Sequence, residues 1–517
     1  MNKRHGIWRV LAGALAGLLT AAVALGVAEL AAAITGPQGA PVNAVGETAI
    51  NLTPIPVKEF AITHFGSHDK EALVLGIVVL LLAFAAVIGI AAVRRMSWGM
   101  AGLVVFAALG VSAALHLPNA TASDLLPTLA GVGVAAMAMA VLVRAVRVAF
   151  PPPSTEPEQP PRRPDRRRVL IAATGTAVLA AVAGGLGDKL LGRFSIAGDL
   201  AQVRLPAPAI PAPAVPAGTA FAISGLTPFF TANSGFYRVD TDLVLPQVAP
   251  ETWTLRIDGM VERDVELSYD ELLRMPLTET DITLVCVSNA VGGTYNGNAR
   301  WLGLPLAGLL RRAGVRAGAD QVLSTAVDGM TISTPIEAIM DGRDALLAVG
   351  MNGQPLPIAH GFPARMVVPG LYGYVSATKW VTRLTITTFA QQRAYWTQRG
   401  YAAQAPIKTE SRIDVPKPLA QIKAGQVVVA GVAWAPAKGI AAVEVNVDNG
   451  TWHTARLAAA DGIDTWRQWM WAWDASPGLH TLQVRATDST GATQTSRSAQ
   501  TFPDGASGWD SVVVTVN

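Results

Sequence analysis

A single cysteine, Cys286, is the residue of this chain whose type and position best suit metal chemistry. It lies in the continuous apolar run Ile282–Val287, which predicts a buried strand, and the glycine-rich turn Ser288–Gly293 follows at once. Strand ends beside such turns are common positions for ligand groups. A thiolate there could bind a metal. The alternative is that Cys286 is a small apolar side chain of the core.

The cysteine count and the charge balance exclude several functions. One cysteine cannot form an intrachain disulfide, a CxxC redox pair, a CxxCH haem attachment or a four-thiolate zinc or iron–sulfur site. The net charge of +3 is too small to indicate nucleic-acid binding, and we expect no nucleic-acid partner. A metal centre in this chain would use a single protein thiolate.

The surroundings of Cys286 and several later segments resemble one protein family. Cys286 stands in T-L-V-C-V-S-N-A-V-G-G, which is similar to the molybdenum-ligating segment of the sulfite oxidase family. Met351–Gly370 (M-N-G-Q-P-L-P-I-A-H-G-F-P-A-R-M-V-V-P-G) resembles the family's pterin-binding stretch. The other similar segments are Ser376–Trp380, Ile407–Pro416, Val428–Trp452 and Trp466–Trp473.

This resemblance covers about residues 227–517 and implies a fold. It implies a molybdopterin-binding α+β domain followed by an immunoglobulin-like β-sandwich, which mediates dimerisation in relatives. The turns and alternating strands after Val427 independently favour a β-sandwich of immunoglobulin type. We therefore expect a possible homodimer through the C-terminal domain.

The resemblance also implies roles for particular residues. Molybdenum would be held by two dithiolene sulfurs of one pterin and by Cys286. His360, Arg365 and Lys379 match positions that bind the pterin phosphate, which needs fixed donors and positive charge. Two further residues match positions near the cofactor, namely Asn233 and Asp328. Tyr401 aligns with a tyrosine beside the metal; the alternative for Tyr401 is a packing aromatic.

Departures from the family bear on the substrate. Sulfite oxidases have an arginine directly before the residue equivalent to Asn233, where this chain has Ala232. The segment after Gly370 reads L-Y-G-Y-V-S and also lacks the family's arginine. Because a sulfite dianion needs cationic partners, we expect a neutral or weakly charged substrate such as a sulfoxide or an N-oxide. No haem domain is predicted in this chain, so electrons would pass to or from a separate partner.

The N-terminal part of the chain is far more apolar than the rest. Residues 1–149 hold 15 of the 77 charged side chains. Five apolar runs are long enough to cross the roughly 30 Å hydrocarbon core of a membrane. They are Val10–Ala28, Ala72–Val93, Met96–Leu115, Leu125–Val143 and Val169–Gly187. For the first run, a cleaved signal peptide is the alternative.

Basic residues predict the orientation of these runs. Loop 116–124 has no Lys or Arg, and loop 35–70 has only Lys58 and Lys70. The basic clusters are Lys3, Arg4 and Arg9; Arg94 and Arg95; and Arg144, Arg147, Arg162, Arg163, Arg166, Arg167 and Arg168. They all fall on one side, which the positive-inside rule makes cytoplasmic. We expect a multi-pass protein of the cell membrane with a cytoplasmic N-terminus and an extracytoplasmic catalytic domain.

Two motifs of this part have open interpretations. Asp165–Leu170 (D-R-R-R-V-L) resembles a twin-arginine export signal, and the alternative is an ordinary cytoplasmic basic cluster. His64 and His68 have the spacing of a metal or haem pair, but they are expected to be loop histidines. The runs lack the buried charges that mark proton relays. We therefore expect an anchor or docking surface and disfavour a transporter.

These observations predict four regions. Residues 1–190 form the transmembrane region, and 191–226 form a Pro/Ala-rich linker with an extended spacer at 204–217. Residues 227–408 form the molybdopterin domain, and 409–517 form the immunoglobulin-like dimerisation domain. The predicted activity is oxygen-atom transfer to or from a small sulfur- or nitrogen-containing substrate. The alternatives are a true sulfite oxidase or dehydrogenase, and a cofactor-free surface protein that retains the fold.

Overall fold

The chain divides into two units in a computed structural model that describes residues 2–65, 69–117, 120–151 and 166–517. Unit 1 comprises Met1–Ile196 and Asp240–Leu245, and unit 2 comprises Ala197–Val239 and Pro246–Asn517. Each unit is described separately below. Several residues named above lie outside the described ranges, namely His68, Arg162, Arg163 and Asp165.

Unit 1 is helical. Its helices are α1 (Asn2–Thr35), α2 (Pro41–Leu52), α3 (Ile55–Phe65), α4 (Asp69–Arg94), α5 (Met96–Leu115), α6 (Leu126–Ala149) and α7 (Arg166–Leu191). Five of them, α1, α4, α5, α6 and α7, are long and apolar enough to cross a membrane, and they contain the five predicted apolar runs. The sequence prediction missed α2 and α3, which lie in the segment that was expected to be a loop.

Small residues on α1 allow close helix packing. A Cβ built on Gly17 would overlap the backbone oxygen of Ala85 on α4. A Cβ on Gly26 would lie 2.7 Å from the backbone oxygen of Ala180 on α7. Small residues at helix contacts are typical of membrane bundles. Large apolar side chains cover the outside, and Leu80 on α4 is 71% exposed.

Two arginines meet at the C-terminal end of α4. Arg147 donates from Nε to the backbone oxygen of Val93 at 3.0 Å and from Nη2 to that of Ala92 at 2.7 Å. Arg9 donates from Nη2 to the same oxygen of Val93 at 3.3 Å. The last carbonyls of a helix carry partial negative charge and attract cations. One end of the bundle therefore gathers arginines from α1 and α6 beside Arg94.

Unit 2 combines short helices with four sheets. Its helices are α8 (Ala197–Gln202), α9 (Tyr269–Arg274), α10 (Leu306–Ala313), α11 (Ile336–Met340) and α12 (Tyr395–Gln398). The strands of its first part are β1 (Thr254–Gly259), β2 (Val265–Ser268), β3 (Thr278–Val285), β4 (Asn296–Pro305), β5 (Gln321–Ala326), β6 (Thr331–Pro335), β7 (Leu346–Met351), β8 (Gln354–Pro355), β9 (Arg365–Val367) and β10 (Val381–Thr387). One sheet has the order β2-β1-β10-β5-β6. The other has the order β3-β4-β7-β8, and β9 pairs with β7.

The proline-rich segment 204–217 is extended, as predicted, but it does not stand free. Ile210 forms a parallel bridge with Thr278 at the start of β3. The backbone N–H of Ala209 donates to the oxygen of Leu277 at 2.8 Å. Because prolines leave few donors but keep their carbonyls, the segment can attach to a strand edge at isolated positions. The segment is therefore attached to the edge of β3 at these residues.

The C-terminal part contains two sheets around a shared core. Its strands are β11 (Glu410–Val415), β12 (Gln421–Ile422), β13 (Gly425–Trp434), β14 (Ile440–Val447), β15 (His453–Thr454), β16 (Arg456–Leu457), β17 (Arg467–Ala475), β18 (Gly478–Asp488) and β19 (Asp510–Val516). The sheet orders are β11-β13-β17-β16 and β12-β19-β18-β14-β15. Trp469 from the first sheet and Val484 and Val514 from the second are fully buried in one apolar cluster. Alternating strands thus turn one face of each sheet into the core.

Candidate functional site

Cys286 lies directly after β3, in the connection to β4. Its backbone N–H donates to the oxygen of Tyr295 at 2.9 Å, which continues the pairing of the two strands. The N–H of Ser288 donates to the Cys286 Sγ at 3.4 Å. Cys286 is only 8% exposed, and burial raises the pKa of its thiol. A thiolate at this position therefore needs a nearby positive charge, such as a metal ion.

The buried loop around Cys286 is stiffened by Asn289. This side chain is 2% exposed, and its Oδ1 accepts from the N–H of Tyr295 at 2.8 Å. The N–H of Asn289 donates to the oxygen of Cys286 at 3.0 Å. The turn after the cysteine is thus held by hydrogen bonds from both its ends, which fixes the direction of the thiol.

Arg365, the first residue of β9, is a buried cation. It is 5% exposed, and its guanidinium donates to the backbone oxygens of His360 at 3.1 Å and Ala377 at 3.4 Å. Burial lowers the pKa of Arg365 to about 10. Among the described residues no carboxylate forms an ion pair with it. A buried charge without an opposite charge is costly, so an anionic group would stabilise this position.

His360 lies next to this cation and is held neutral. Its Nε2 is 3.1 Å from the backbone oxygen of Asn233, and Nε2 must be the donor because a carbonyl only accepts. Burial lowers the pKa of His360 to about 4, and the charges of Arg365, Lys379 and Arg238 lower it in the same direction. Three cationic side chains therefore surround one neutral imidazole.

Lys379 completes the cationic cluster. Its Nζ donates to the backbone oxygen of Ala359 at 3.4 Å and lies 4.4 Å from the centre of the Trp380 ring. Gly361 has a φ of 106°, and a Cβ there would lie 3.0 Å from the Cβ of Arg365 and 3.1 Å from Lys379. The glycine therefore lets the turn after His360 pack tightly between the two cations.

The side chain of Asn233 is committed to the protein itself. Its Nδ2 donates to the backbone oxygen of Met351 at 3.2 Å, and its Oδ1 accepts from Asn352 at 2.8 Å. Its backbone oxygen is the partner of His360. Asn233 thus positions His360 in this structure.

Two residues missed by the sequence analysis join the cysteine to the cations. The ring of Tyr237 lies 6.4 Å from that of Tyr295, whose backbone oxygen accepts from Cys286. The ring of the neighbouring Phe236 lies 5.9 Å from that of Trp301, and the Arg365 guanidinium lies 5.1 Å from the centre of the same ring. Burial raises the pKa of the Tyr237 hydroxyl, whose oxygen lies near Gly373, beside the backbone oxygen of Val285. Tyr237 and Arg238 stand four and five positions after Asn233 in the chain.

Tyr401 belongs to an aromatic cluster. Its ring centre lies 5.4 Å from that of Tyr374, 5.2 Å from Trp396 and 5.0 Å from Phe502. The hydroxyl of Tyr374 donates to the backbone oxygen of Ala402 at 2.8 Å. Since Tyr374 follows Gly373, the cluster connects through this short segment to the strand end that carries Cys286.

Asp328 lies in the turn between β5 and β6. Its Oδ1 accepts from the N–H of Met330 at 2.8 Å and closes that turn. The contacts of the described residues do not join it to Cys286 or His360. The structure therefore brings together His360, Arg365, Lys379 and Asn233. It links them to Cys286 through the contacts of Phe236 and Tyr237, and the Tyr401 cluster joins through Tyr374, which follows Gly373. Asp328 lies in a turn of its own.

These residues fit a group with a metal at one end and an anion at the other. Cys286 offers one buried sulfur, and Arg365 is a buried cation that lacks a carboxylate partner. Tyr237 and Phe236 link these two residues through their contacts with Tyr295 and Trp301. A molybdenum-bearing pterin with a terminal phosphate has this distribution of charge.

Comparisons with known proteins agree with this chemistry. Residues 242–396 match the family model described as the oxidoreductase molybdopterin binding domain. Mitochondrial sulfite oxidase of Mus musculus is 29% identical over 289 residues, which are 47% of this chain and 50% of the relative. Sulfite oxidase of Gallus gallus is 30% identical over 290 residues, 47% of this chain and 62% of the relative. The chain thus spans about half the length of the curated relatives it matches.

A solved structure is similar over a larger part of both chains. The sulfane dehydrogenase SoxCD from Paracoccus pantotrophus is 25% identical and has a TM-score of 0.50, covering 56% of this chain and 84% of its own. Residues 242–396 are accordingly a molybdopterin-binding oxidoreductase domain. In and around this domain the chain is similar to sulfite oxidases and to SoxCD.

Proposed function

We propose that this protein is a membrane-anchored, extracytoplasmic molybdenum oxidoreductase that transfers an oxygen atom to or from a small sulfur- or nitrogen-containing substrate. One observation carries the proposal: a continuous series of contacts joins the buried thiol to the buried cation. Tyr237 packs beside Tyr295, whose backbone oxygen accepts from Cys286, and the neighbouring Phe236 contacts the Trp301 ring over which the Arg365 guanidinium lies. A metal ligand and an anion-binding residue therefore belong to one site. The cofactor, when bound, would supply the two-electron oxygen-atom chemistry.

The protein's own residues would have distinct roles. Cys286 would bind the metal, and Arg365, Lys379 and Arg238 would attract the phosphate of the pterin. His360 would remain neutral and donate from Nε2 to Asn233, which keeps the turn before Arg365 in place. Asp328 is a proposed cofactor-binding residue by resemblance alone.

The aromatic cluster would form the substrate side of the site. Tyr401, Tyr374 and Trp396 would exclude water and leave few charges to hold a dianion. The buried Tyr372, which is 1% exposed, lies in the segment where sulfite oxidases carry an arginine. These features favour a neutral substrate such as a sulfoxide or an N-oxide over sulfite.

Unit 1 would be the membrane anchor. Its five apolar helices and exposed leucines suit a lipid environment. The arginines Arg9, Arg94 and Arg147 at one end of the bundle support a cytoplasmic location for that end. The chain leaves α7 at the opposite end, because Gly187 of α7 packs beside Glu29 and Leu30 near the end of α1.

We also propose that the two C-terminal sheets form an immunoglobulin-like domain that joins two copies of the chain. The shared core around Trp469 supports a sandwich of this type. Electrons would be exchanged with a separate partner.

Metal analysis tests the proposal. The purified full chain is expected to contain about one molybdenum and one pterin per chain, measured by plasma mass spectrometry and by fluorescence of the oxidised pterin. Cys286→Ser should lose the metal and all turnover. Ser288→Ala is the milder companion variant: it removes a hydroxyl that interacts with the thiol but keeps the thiol and the backbone hydrogen bond to Sγ, so the metal should be retained. A panel of sulfoxides, N-oxides and sulfite, assayed with a dye donor and a dye acceptor, identifies the substrate class.

Two results would overturn parts of this proposal. Wild-type protein without molybdenum would leave only the cofactor-free surface protein as an explanation. Turnover of sulfite with rates above those of all neutral substrates would make the protein a sulfite oxidase and reject the neutral-substrate assignment.

A further inference from the structure

One arginine of the C-terminal part reaches the loop of residues 286–295, which we call the cysteine loop. Arg412 lies on β11 and is 4% exposed. Its Nη1 donates to the backbone oxygen of Gly293 at 2.6 Å and to Oδ1 of Asn296 at 3.0 Å. Gly293 belongs to the cysteine loop, and Asn296 is the first residue of β4. The guanidinium thus holds the end of the loop that is farther along the chain from Cys286.

These two contacts stand on either side of the residue that pairs with Cys286. The backbone oxygen of Tyr295 accepts from the N–H of Cys286 at 2.9 Å. Gly293 precedes Tyr295 by two positions, and Asn296 follows it directly. Because a guanidinium is rigid and planar, holding both residues also holds the oxygen to which the cysteine backbone is bonded. Arg412 therefore acts on Cys286 through Tyr295.

The remaining nitrogens of Arg412 have partners of their own. Its Nε donates to Oδ1 of Asp414 at 2.8 Å, and Asp414 is 3% exposed. Its Nη2 donates to Oγ1 of Thr227 at 3.0 Å, and the N–H of Thr227 donates to Oδ2 of Asp414 at 3.2 Å. Each nitrogen of the guanidinium thus has its own acceptor, which fixes the side chain. A lysine has a single nitrogen and cannot reach all of these acceptors.

A second side chain of the C-terminal part packs on the same loop. Asp510, the first residue of β19, is 7% exposed, and its Oδ2 accepts from the N–H of Ile413 at 2.8 Å. Gly292 has a φ of 72°, and a Cβ there would lie 2.4 Å from Oδ1 of Asp510. Both the backbone conformation and the near carboxylate therefore require a glycine at this position. The cysteine loop lies directly against β11 and β19.

We propose that Arg412 is a positioning residue for the metal site: it holds the cysteine loop through Gly293 and Asn296 and thereby fixes the direction of the Cys286 thiol. In its effect on a bound metal, this inference rests on the proposed function. The alternative is that Arg412 and Asp414 only join two parts of the fold. A weakened contact would change the behaviour of Cys286 in the first case and only the overall stability in the second.

Alkylation of Cys286 tests the proposal, because the single cysteine of the chain makes the reaction specific for this loop. The full chain is made in a host that lacks molybdopterin, treated with iodoacetamide in detergent solution, and followed by intact mass. Arg412→Lys keeps a cation beside Asp414 but cannot also hold the loop. Cys286 should then react about tenfold faster or more, the effect of a lost hydrogen bond to a charged group. Low concentrations of urea should not change this rate, since a local opening exposes little surface.

Arg467→Lys is the matched control for this variant. Arg467 lies on β17, and its guanidinium donates to the backbone oxygens of Ala458 at 2.7 Å and Ile440 at 3.0 Å. These contacts lie within the C-terminal part and do not involve the cysteine loop. The substitution should therefore leave the alkylation rate of Cys286 at the wild-type value, although it also removes hydrogen bonds of an arginine.

A second pair of variants keeps the test valid if Arg412→Lys does not fold. Asn296→Ala removes an acceptor of Arg412 at the loop and leaves the ion pair with Asp414 intact. It should also speed up the alkylation of Cys286. Thr227→Ala removes an acceptor of the same guanidinium away from the loop, and it should leave the rate unchanged.

The protein with cofactor gives an independent result. Arg412→Lys should retain molybdenum but alter the electron paramagnetic resonance signal of the partly reduced metal, whereas Arg467→Lys should keep the wild-type signal. Equal alkylation rates in the wild type, Arg412→Lys and Asn296→Ala would overturn the proposal. Faster alkylation that follows only the overall stability measured in urea would overturn it as well. Wild-type protein without molybdenum would contradict the proposed function and leave the alkylation result valid, so the two failures are distinguishable.

Discussion

The guanidinium of Arg365 donates from Nη1 to the backbone oxygen of His360 at 3.1 Å, which ties β9 to the turn before it. Burial, together with the charge of Arg365, lowers the pKa of the imidazole to about 4 and keeps it neutral at physiological pH. The protein thus holds a positive charge in place before an anion binds. Such preorganisation reduces the reorganisation needed on binding.

Replacing Arg365 should weaken the binding of the cofactor without lowering the Tm of the cofactor-free protein. In Arg365→Met, the protein without cofactor should have an equal or higher Tm, because the buried cation lacks a carboxylate partner. Retention of the pterin should fall by about tenfold or more, since a charge-assisted hydrogen bond to a phosphate contributes about 1.5–3 kcal/mol. Tm is measured on protein made in a host that lacks molybdopterin, and pterin content on protein made in a normal host.

Arg300→Met is the matched control for this prediction. Arg300 donates to both carboxylate oxygens of Asp281, at 2.8 and 2.7 Å. Its removal leaves a buried aspartate unpaired and should lower Tm without a specific loss of pterin. A lower Tm in the cofactor-free Arg365→Met protein would show that Arg365 serves the fold instead.

Tyr401→Phe decides between a catalytic and a packing role for this residue. The ring contacts with Tyr374, Trp396 and Phe502 remain, so Tm should not change. If the hydroxyl bonds to the transferred oxygen, kcat/KM should fall by about tenfold or more. Tyr395→Phe is the control, since its ring packs against Trp396 and Arg399. Equal kcat/KM values for both variants and the wild type would make Tyr401 a packing aromatic.

Glu410 should make the stability of unit 2 depend on pH. It is 3% exposed, and burial raises its pKa from 4.5 to about 8. Between these values the folded protein binds one more proton than the unfolded chain, so stability falls as the pH rises. The contribution is fully present below pH 4.5 and is lost as the pH passes about 8.

Glu410→Gln should therefore flatten the fall of Tm between about pH 5 and pH 8. Part of the slope should remain, because burial also raises the pKa values of Asp461 and Asp464 to about 6. The exposed Glu251→Gln should keep the wild-type slope. Thermal unfolding, followed by tryptophan fluorescence at several pH values, measures how the Tm of each variant depends on pH. An unchanged slope in Glu410→Gln would contradict the buried, protonated carboxyl.

The parts of the site that the sequence predicts are those with a local signal. Cys286 ends an apolar strand, and His360 and Arg365 lie within one continuous segment. The residues S-Y-D-E-L-L-R-M at Ser268–Met275 predict a capped helix, and this helix is α9, with Ser268 as its N-cap and Glu271 completing the capping box. These features depend on residues close together in the chain.

Features that depend on distant contacts were not predicted. Tyr237 reaches Cys286 and Arg365 only after folding, and its own segment contains no regular pattern. The sequence predicts a single strand at Thr451–Leu457, but the structure has two short strands there, β15 and β16, which pair with β14 and β17 in different sheets. Alternation shows which residues are buried, but it does not show which neighbouring strand they join.

The predicted orientation of the bundle can be tested by labelling introduced cysteines, because Cys286 is the single cysteine of the chain and can be replaced. Ala120 lies in the predicted outer loop between α5 and α6, and Pro151 follows α6 at the arginine end; both are exposed. In a Cys286→Ser background, Ala120→Cys should react with a membrane-impermeant maleimide in sealed spheroplasts. Pro151→Cys should react only after permeabilisation, because the positive-inside rule places the arginines Arg9, Arg94 and Arg147 in the cytoplasm. The opposite labelling pattern would show that the topology is reversed and that unit 2 lies in the cytoplasm. Labelling of both sites in sealed spheroplasts would show that α6 does not span the membrane.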